Sequence, residues 1–116
     1  MGNRVIAIPS ESCPLSVTDF YQVLETSDLP DGVVNIVTGT SADLAKTLAE
    51  HDDVDALWAF HSGKLCAMVE KLSIGNLKRL LVDHGRATDW LLPSSEGRNW
   101  LHHAVQVKNV WIPYGE

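Results

Sequence analysis

The chain has 116 residues, of which 45% are hydrophobic and 21% charged, and its formal net charge at pH 7 is −6. This length and composition are typical of one globular domain. The negative charge argues against nucleic acid and anionic membrane surfaces as partners, because both attract basic patches. No apolar run approaches the roughly 20 residues that cross a bilayer. Cys13 and Cys66 fit neither a disulfide framework nor a zinc spacing, which favours a cytoplasmic location.

The first apolar run predicts a strand buried on both faces of a parallel sheet. Residues 5–8 have no polar interruption, and Pro9 ends the run because proline has no amide to donate. Ser10 and Glu11 then follow the carboxyl end of the strand, where ligands bind in open α/β sheets. Glu11 is therefore a candidate acceptor for ribose hydroxyl groups. The alternative is that it faces water beside a turn.

The residues that follow alternate between helical and strand patterns. Three helices are predicted with Ser16, Ser41 and Ser62 as their N-cap residues, each with an apolar stripe at helical spacing. Strands are predicted in the apolar runs 33–37, 55–60 and 77–82, with Trp58 and Phe60 as core residues of the second run. This alternation predicts an α/β fold, with a Rossmann-like parallel sheet of about four strands and flanking helices over residues 1–86.

The alternation ends after residue 86. Residues 83–97 are polar and rich in turn-forming residues, whereas residues 105–112 are a β-prone run. Lys108 lies within that run, and such a charge often protects an edge strand. We therefore expect residues 87–116 to form a tail whose C-terminal β-strand can pair with another domain or subunit.

Common catalytic motifs do not occur in the sequence, including G-x-G-x-x-G, Walker A, H-E-x-x-H and G-x-S-x-G. His61 lies five residues before Cys66, but neighbours on one helix face are three or four residues apart. Cys66 is therefore predicted to be a small buried residue, with a reactive thiol as the alternative. The adjacent His102 and His103 point apart in a helix or a strand, which disfavours a shared metal.

Four blocks of sequence together resemble the aldehyde dehydrogenase superfamily. They are G-N-R-V-I-A-I-P-S-E-S-C-P-L-S, G-V-V-N-I-V-T-G, H-D-D-V-D-A-L-W-A-F and G-N-L-K-R, in the order in which the family has them. The resemblance covers the coenzyme-binding half, from Gly2 to about Gly85, and is closest to the degenerate second module of two-module aldehyde dehydrogenases. It implies a site for NAD or NADP, which the family binds without a glycine-rich fingerprint.

The resemblance also implies which residues would hold the nucleoside. Glu11, beside Ser10, matches the glutamate of the family's K-P-S-E motif, which binds the adenosine ribose together with the lysine. Ile8 stands at the position of that lysine. Gly39 matches a glycine that lies near the adenine. Of the two residues that bind the ribose in the family, the glutamate is thus retained and the lysine is not.

Further matched positions bear on the diphosphate and on catalysis. Ser62 matches the serine of the family's F-T-G-S turn, which approaches the pyrophosphate, but His61 replaces the preceding glycine, where backbone approach matters. Asp83 stands at the position of the family's general-base glutamate, and its side chain is one methylene shorter. The family's nucleophilic cysteine lies beyond that glutamate, whereas no cysteine follows Asp83.

These observations lead first to the hypothesis of a non-catalytic module. The chain would be an aldehyde-dehydrogenase-like fragment of a longer or truncated protein, acting in the assembly or regulation of an NAD(P)-dependent aldehyde oxidoreductase. A homo-oligomer, or a complex with an aldehyde-dehydrogenase-type subunit, would form through helix 62–74 and strand 105–112.

Two alternatives concern ligands and catalysis. The chain could bind NAD, NADP or a simpler adenine nucleotide weakly through Glu11, Gly39 and Ser62, and so contribute to the oxidoreductase activity of a longer protein. It could instead be an enzyme that uses Cys66 or Cys13 as its nucleophile.

Overall fold

The computed structural model describes residues 2–86 and 88–115, which form two compact units, one on each side of residue 87. The first unit contains four strands: β1 (Val5–Ala7), β2 (Val34–Ile36), β3 (Ala56–Ala59) and β4 (Arg79–Val82). Its three helices are α1 (Ser16–Glu25), α2 (Ser41–Glu50) and α3 (Gly63–Leu72). Each element lies within a predicted segment, which confirms the α/β fold class. None of the described helices is long and apolar enough to cross a membrane.

The strands of the first unit pair as two parallel ladders. β1 pairs with β2 and places Val5 opposite Val34, while β3 pairs with β4 and places Ala56 opposite Arg79. Each pair is joined through a helix, because parallel strands need a crossover connection. Four parallel strands were predicted, but among the described residues they form two sheets of two strands.

The core of the first unit lies where α2 and α3 pack with β3. The buried apolar residues that form it are Ala45, Ala49, Leu57, Ala59, Cys66 and Val69. The predicted stripes of α2 and α3 supply three of these six side chains, Ala45, Ala49 and Val69. Cys66 is fully buried, and its sulfur lies 3.6 Å from the carbonyl oxygen of Ala59 and 3.4 Å from that of His61, either of which can accept the thiol proton. The prediction of a small buried cysteine is confirmed, and this burial does not suit a nucleophile.

The strands are less buried than predicted. Leu57 and Ala59 of β3 are buried, but Trp58 and Phe60, on the other face, are 36% and 40% exposed. These two rings contact each other edge to face, with centroids 6.4 Å apart. The first two side chains of β1 are also about half exposed, and α1 has no buried residue. Burial on both faces requires a layer on each side, and the core helices cover one face of β3.

Lys78 connects the start of β4 to the end of α2. Its side chain is buried, and Nζ donates to the carbonyl oxygens of Leu48, Ala49 and His51 at 3.1, 2.7 and 2.8 Å. The last carbonyls of a helix have no intrahelical partner, and the helix dipole favours a cation beside them. The ammonium group thus satisfies the C-terminus of α2, which in turn compensates the buried charge.

The second unit contains a 3₁₀ turn (Pro93–Ser95) and the short helix α4 (Arg98–Ala104). The rings of Trp90 and Trp100 pack with centroids 5.3 Å apart, and the indole N–H of Trp100 donates to the carbonyl oxygen of Ser95 at 2.8 Å. No residue of α4 is buried. Both of these contacts join residues within ten positions of each other in the sequence.

Residues 105–112 do not form the predicted strand. Residues 105–115 contain neither helix nor strand, and the side chains of Val107, Val110, Trp111 and Ile112 are 72–92% exposed. A strand exists only where a ladder partner satisfies its backbone groups. The described part of the chain pairs no strand with this segment, so its pairing with another chain stays a prediction.

Candidate functional site

Glu11 lies in the turn after β1 and contacts the start of α2. Its Oε1 accepts a hydrogen bond from the backbone N–H of Ser41, the first residue of that helix. The first amides of a helix have no intrahelical partner and attract negative charge. Glu11 is exposed, as in the water-facing alternative, but it also joins the carboxyl end of β1 to the helix that follows β2.

The contact with Ser41 lowers the pKa of Glu11 below its ordinary value. The backbone hydrogen bond from Ser41 is the largest cause, and a hydrogen bond from the Ser41 side chain is the next. Desolvation opposes the shift, while an electrostatic effect of His61, which follows β3, supports it. Glu11, which follows β1, is therefore an ionised acceptor at neutral pH and is influenced by groups that follow two other strands, β2 and β3.

Gly39 and Ser10 make local contacts in the structure. A Cβ at Gly39 would lie 3.2 Å from Cδ1 of Leu44, so close packing against α2 favours glycine there. The hydroxyl of Ser10 is 2.8 Å from that of Ser12. These contacts give both residues structural roles, and their predicted roles at a nucleotide stay predictions.

His61 engages both polar groups of the residue that follows it. The Nδ1 atom of His61 accepts the backbone N–H of Ser62 at 2.8 Å and lies 3.2 Å from the Ser62 hydroxyl. The lone pair of Nδ1 thus accepts the Ser62 amide, and the Ser62 hydroxyl lies within hydrogen-bond distance of the same nitrogen. Ser62 is the N-cap residue of α3, as predicted, but its side chain makes no capping hydrogen bond.

Asp83 connects the end of β4 to the turn after β3. Its Oδ1 accepts the backbone N–H groups of His61 and Gly85, each at 3.1 Å, and lies 3.8 Å from the sulfur of Cys66. Gly85 has a φ of 78°, and a Cβ there would lie 3.6 Å from the amide nitrogen of Gly63. The two turns are thus in backbone contact, and the Asp83 carboxylate serves as the acceptor that joins them.

Sequence reasoning missed Ser41 as the partner of Glu11. A signal for it was present, because the carboxyl ends of paired parallel strands meet at one edge of a sheet. The helix predicted to begin at Ser41 after β2 would therefore present its first amide near the turn after β1. The joining role of Asp83 had no comparable signal, since it depends on the placement of two backbone amides.

Parallel strands linked by helices, with polar groups gathered at their carboxyl ends, define a nucleotide-binding type of α/β fold. Residues 1–92 match the family model described as the aldehyde dehydrogenase family. The chain therefore belongs to the aldehyde dehydrogenase family.

Individual relatives agree with this assignment. The chain is 36% identical over 88 residues to the NADP/NAD-dependent aldehyde dehydrogenase PuuC of Escherichia coli, and the match covers 72% of this chain and 17% of PuuC. It is 31% identical over 85 residues to betaine aldehyde dehydrogenase of Bacillus subtilis, with the same two coverages. The chain thus spans about a sixth of the length of these curated relatives.

Solved structures give the same result for the fold. An aldehyde dehydrogenase C variant of Pseudomonas syringae, complexed with NAD⁺ and octanal, aligns with a TM-score of 0.66 and 31% identity over 69% of this chain and 16% of the other. PnpE in complex with nicotinamide adenine dinucleotide aligns with a TM-score of 0.65 and 33% identity over 70% and 17%. The Rossmann-like character of the fold is therefore confirmed.

Proposed function

We propose that the chain is a non-catalytic assembly or regulatory module of an NAD(P)-dependent aldehyde oxidoreductase. The observation that supports this most is the exposed apolar segment 105–112. It contains two valines, a tryptophan and an isoleucine that are mostly exposed, together with the single charge of Lys108. Exposed apolar groups of this kind mark interaction surfaces, and an extended segment can add a strand to another sheet.

The second predicted contact, helix 62–74, offers apolar surface at its end rather than along its length. Cys66 and Val69 are fully buried in the core of their own unit. Ile74 and Leu77, which follow α3, are 73% and 93% exposed. We propose that these two side chains, with segment 105–112, contact a second copy of the chain, and that a related aldehyde-dehydrogenase-type subunit is the alternative partner.

Sedimentation velocity over a wide range of micromolar concentrations tests this proposal. The wild-type mass is expected to rise with concentration to that of a dimer or a larger oligomer. Val110→Asp places a charge in the segment and should leave a monomer, whereas Leu91→Asp, at a similarly exposed residue outside the segment, should behave like the wild type. A wild-type chain that stays monomeric throughout contradicts self-association.

A cytoplasmic location is part of this proposal. Both cysteines are free thiols, and that of Cys13 is exposed. Exposed free thiols persist in reducing compartments. Cell fractionation should find the chain with cytosolic markers, and its recovery in an oxidising compartment would contradict this location.

A second candidate function, weak binding of an adenine nucleotide, is favoured by the contact between Glu11 and Ser41. A carboxylate can accept about four hydrogen bonds, so the bond from Ser41 leaves capacity for ribose hydroxyls. The Ser41 amide holds this ionised group in place at the carboxyl ends of the strands. Ile8 cannot supply the charged hydrogen bond of the family's lysine, a loss of about 1.5–3 kcal/mol that predicts weak binding.

The ribose end of NAD(P) fits the residues present, and the diphosphate end does not. Glu11 offers the acceptor that a ribose diol requires. The amide and hydroxyl of Ser62, which would have to face a diphosphate, are engaged by His61. When bound, NAD(P)⁺ would supply the hydride acceptor for the oxidation of an aldehyde.

NMR titration with millimolar adenine nucleotide tests the second candidate. The wild type should show saturable shifts near residues 11 and 41. Glu11→Gln removes the charge of the proposed acceptor and should weaken binding, whereas Glu25→Gln, at the end of α1, should not. Nucleotide binding through Glu11 is contradicted if the wild type shows no such shifts, or if Glu11→Gln shows the same shifts as the wild type.

A further inference from the structure

We propose that His61 is a specificity-determining residue that makes the site accept an adenosine-type nucleoside in preference to a dinucleotide. The inference rests on the proposed nucleotide binding through Glu11. The observation that supports it separately is the contact of the His61 imidazole with the N–H and hydroxyl of Ser62, at the turn between β3 and α3.

The donors that a diphosphate needs at this turn are the ones His61 uses. Phosphate groups bind at strand-to-helix turns through backbone N–H groups and nearby hydroxyls. Here the N–H of Ser62 points to Nδ1 of His61 at 2.8 Å, and the hydroxyl lies 3.2 Å from the same atom. A diphosphate could reach Ser62 only after both hydrogen bonds were broken and the ring had moved.

The surroundings of His61 hold the turn in this arrangement. The backbone N–H of His61 donates to Asp83, and its carbonyl accepts the thiol of Cys66, so the chain on both sides of the ring is anchored. Gly85 lies against the same turn, where a Cβ would be 3.7 Å from the His61 carbonyl oxygen. The carboxylates of Glu11 and Asp83 add negative charge around the turn, which further disfavours a diphosphate.

The nucleoside part of the ligand would be bound by groups other than those of the turn after β3. Glu11 is held by the backbone N–H of Ser41, at the start of α2, and not by the turn after β3. A nucleoside presents a ribose diol to this carboxylate and brings no phosphate to Ser62. Its binding is therefore expected to be insensitive to the His61 side chain.

Dissociation constants for adenosine, ADP and NAD, measured on the full chain by NMR titration, test the proposal. The wild type should bind adenosine at least as tightly as ADP and NAD. His61→Gly removes the imidazole and should tighten ADP and NAD binding about tenfold, the effect of one net hydrogen bond, while adenosine binding is unchanged. His61→Ala provides a second variant that also removes the ring but keeps a Cβ.

His84→Gly is the matched control. It removes the same side chain from the neighbouring turn, where the φ of 52° suits glycine and the ring pairs with Glu70 rather than with Ser62. All three dissociation constants should stay at their wild-type values in this variant.

The possible results separate the two proposals. The role of His61 is overturned if the wild type binds NAD tenfold more tightly than adenosine, or if neither His61 variant binds ADP and NAD more tightly than the wild type does. Either result leaves nucleotide binding in place. If the His61 variants bind ADP and NAD more tightly as expected, but Glu11→Gln does not weaken binding, the role of His61 is supported and that of Glu11 is contradicted. Failure of all three ligands to bind the wild type and both variants contradicts both proposals.

Discussion

The two units of the molecule use similar apolar residues with different results. In residues 2–86, hydrogen bonds connect segments that are distant in sequence, as Lys78 does with α2 and Asp83 with His61, and a buried core forms. In residues 88–115, Trp100 contacts Ser95 and Trp90, which are close to it in sequence, and α4 has no buried residue. Apolar composition alone therefore does not decide burial, because distant partners are needed as well.

The largest expected effect comes from removing the ammonium group of Lys78. Lys78→Met takes away the donor to three carbonyls at the end of α2 and should lower the free energy of unfolding by about 2–3 kcal/mol. Lys108→Met, the same substitution at an exposed lysine of the second unit, should change it by less than about 0.5 kcal/mol. Chemical denaturation measures both values. Equal losses in the two variants would contradict the contrast between the units.

A smaller effect is expected when one tryptophan of each unit is replaced by alanine in two separate variants. Trp100→Ala removes a ring contact worth about 1 kcal/mol, and hydrogen exchange should accelerate within α4. Trp58→Ala removes the partner of Phe60 from β3, and we expect the paired strands β3 and β4 to open together, so exchange should accelerate along the whole ladder. Local acceleration in both variants would mean that the first unit is no more cooperative than the second.

The smallest expected effect is the pH dependence due to Glu11, because this side chain is exposed. Its folded-state pKa is lowered, so it adds stability above the ordinary glutamate pKa of about 4.3, and that contribution is lost as the pH falls through the lowered value. Thermal unfolding measured between neutral and acidic pH should therefore show a weaker acid dependence in Glu11→Gln than in Glu25→Gln. Identical profiles would show that the bond from Ser41 does not contribute to stability.

The order and type of the first seven elements could be predicted from the sequence because they depend on local patterns. Ser62 is the N-cap of α3 as predicted, whereas Ser16 and Ser41 are the first residues of their helices and the N-cap positions are one residue earlier, at Leu15 and Thr40. Strand burial could not be predicted, because the exposure of Trp58 depends on whether a second layer covers β3. The absence of a strand in residues 105–112 has a similar reason, since strand formation requires a partner.

The candidate site was predictable in its location but not in its contacts. The turns that contain Glu11, Gly39 and Ser62 follow three predicted strands, so their positions could be inferred from parallel topology. The hydrogen bond between Glu11 and Ser41 joins residues far apart in sequence. The bond between His61 and Ser62 depends on a ring orientation that residue spacing does not determine.

Parallel pairing also has a consequence for how the chain acquires its structure during synthesis. β1 cannot pair until α1 and β2 have left the ribosome, and β3 must wait in the same way for α3 and β4. No hairpin within these ladders can serve as an early nucleus, so loop closure precedes every strand pairing and slows folding. Until β4 emerges, the apolar β3 segment has no ladder partner.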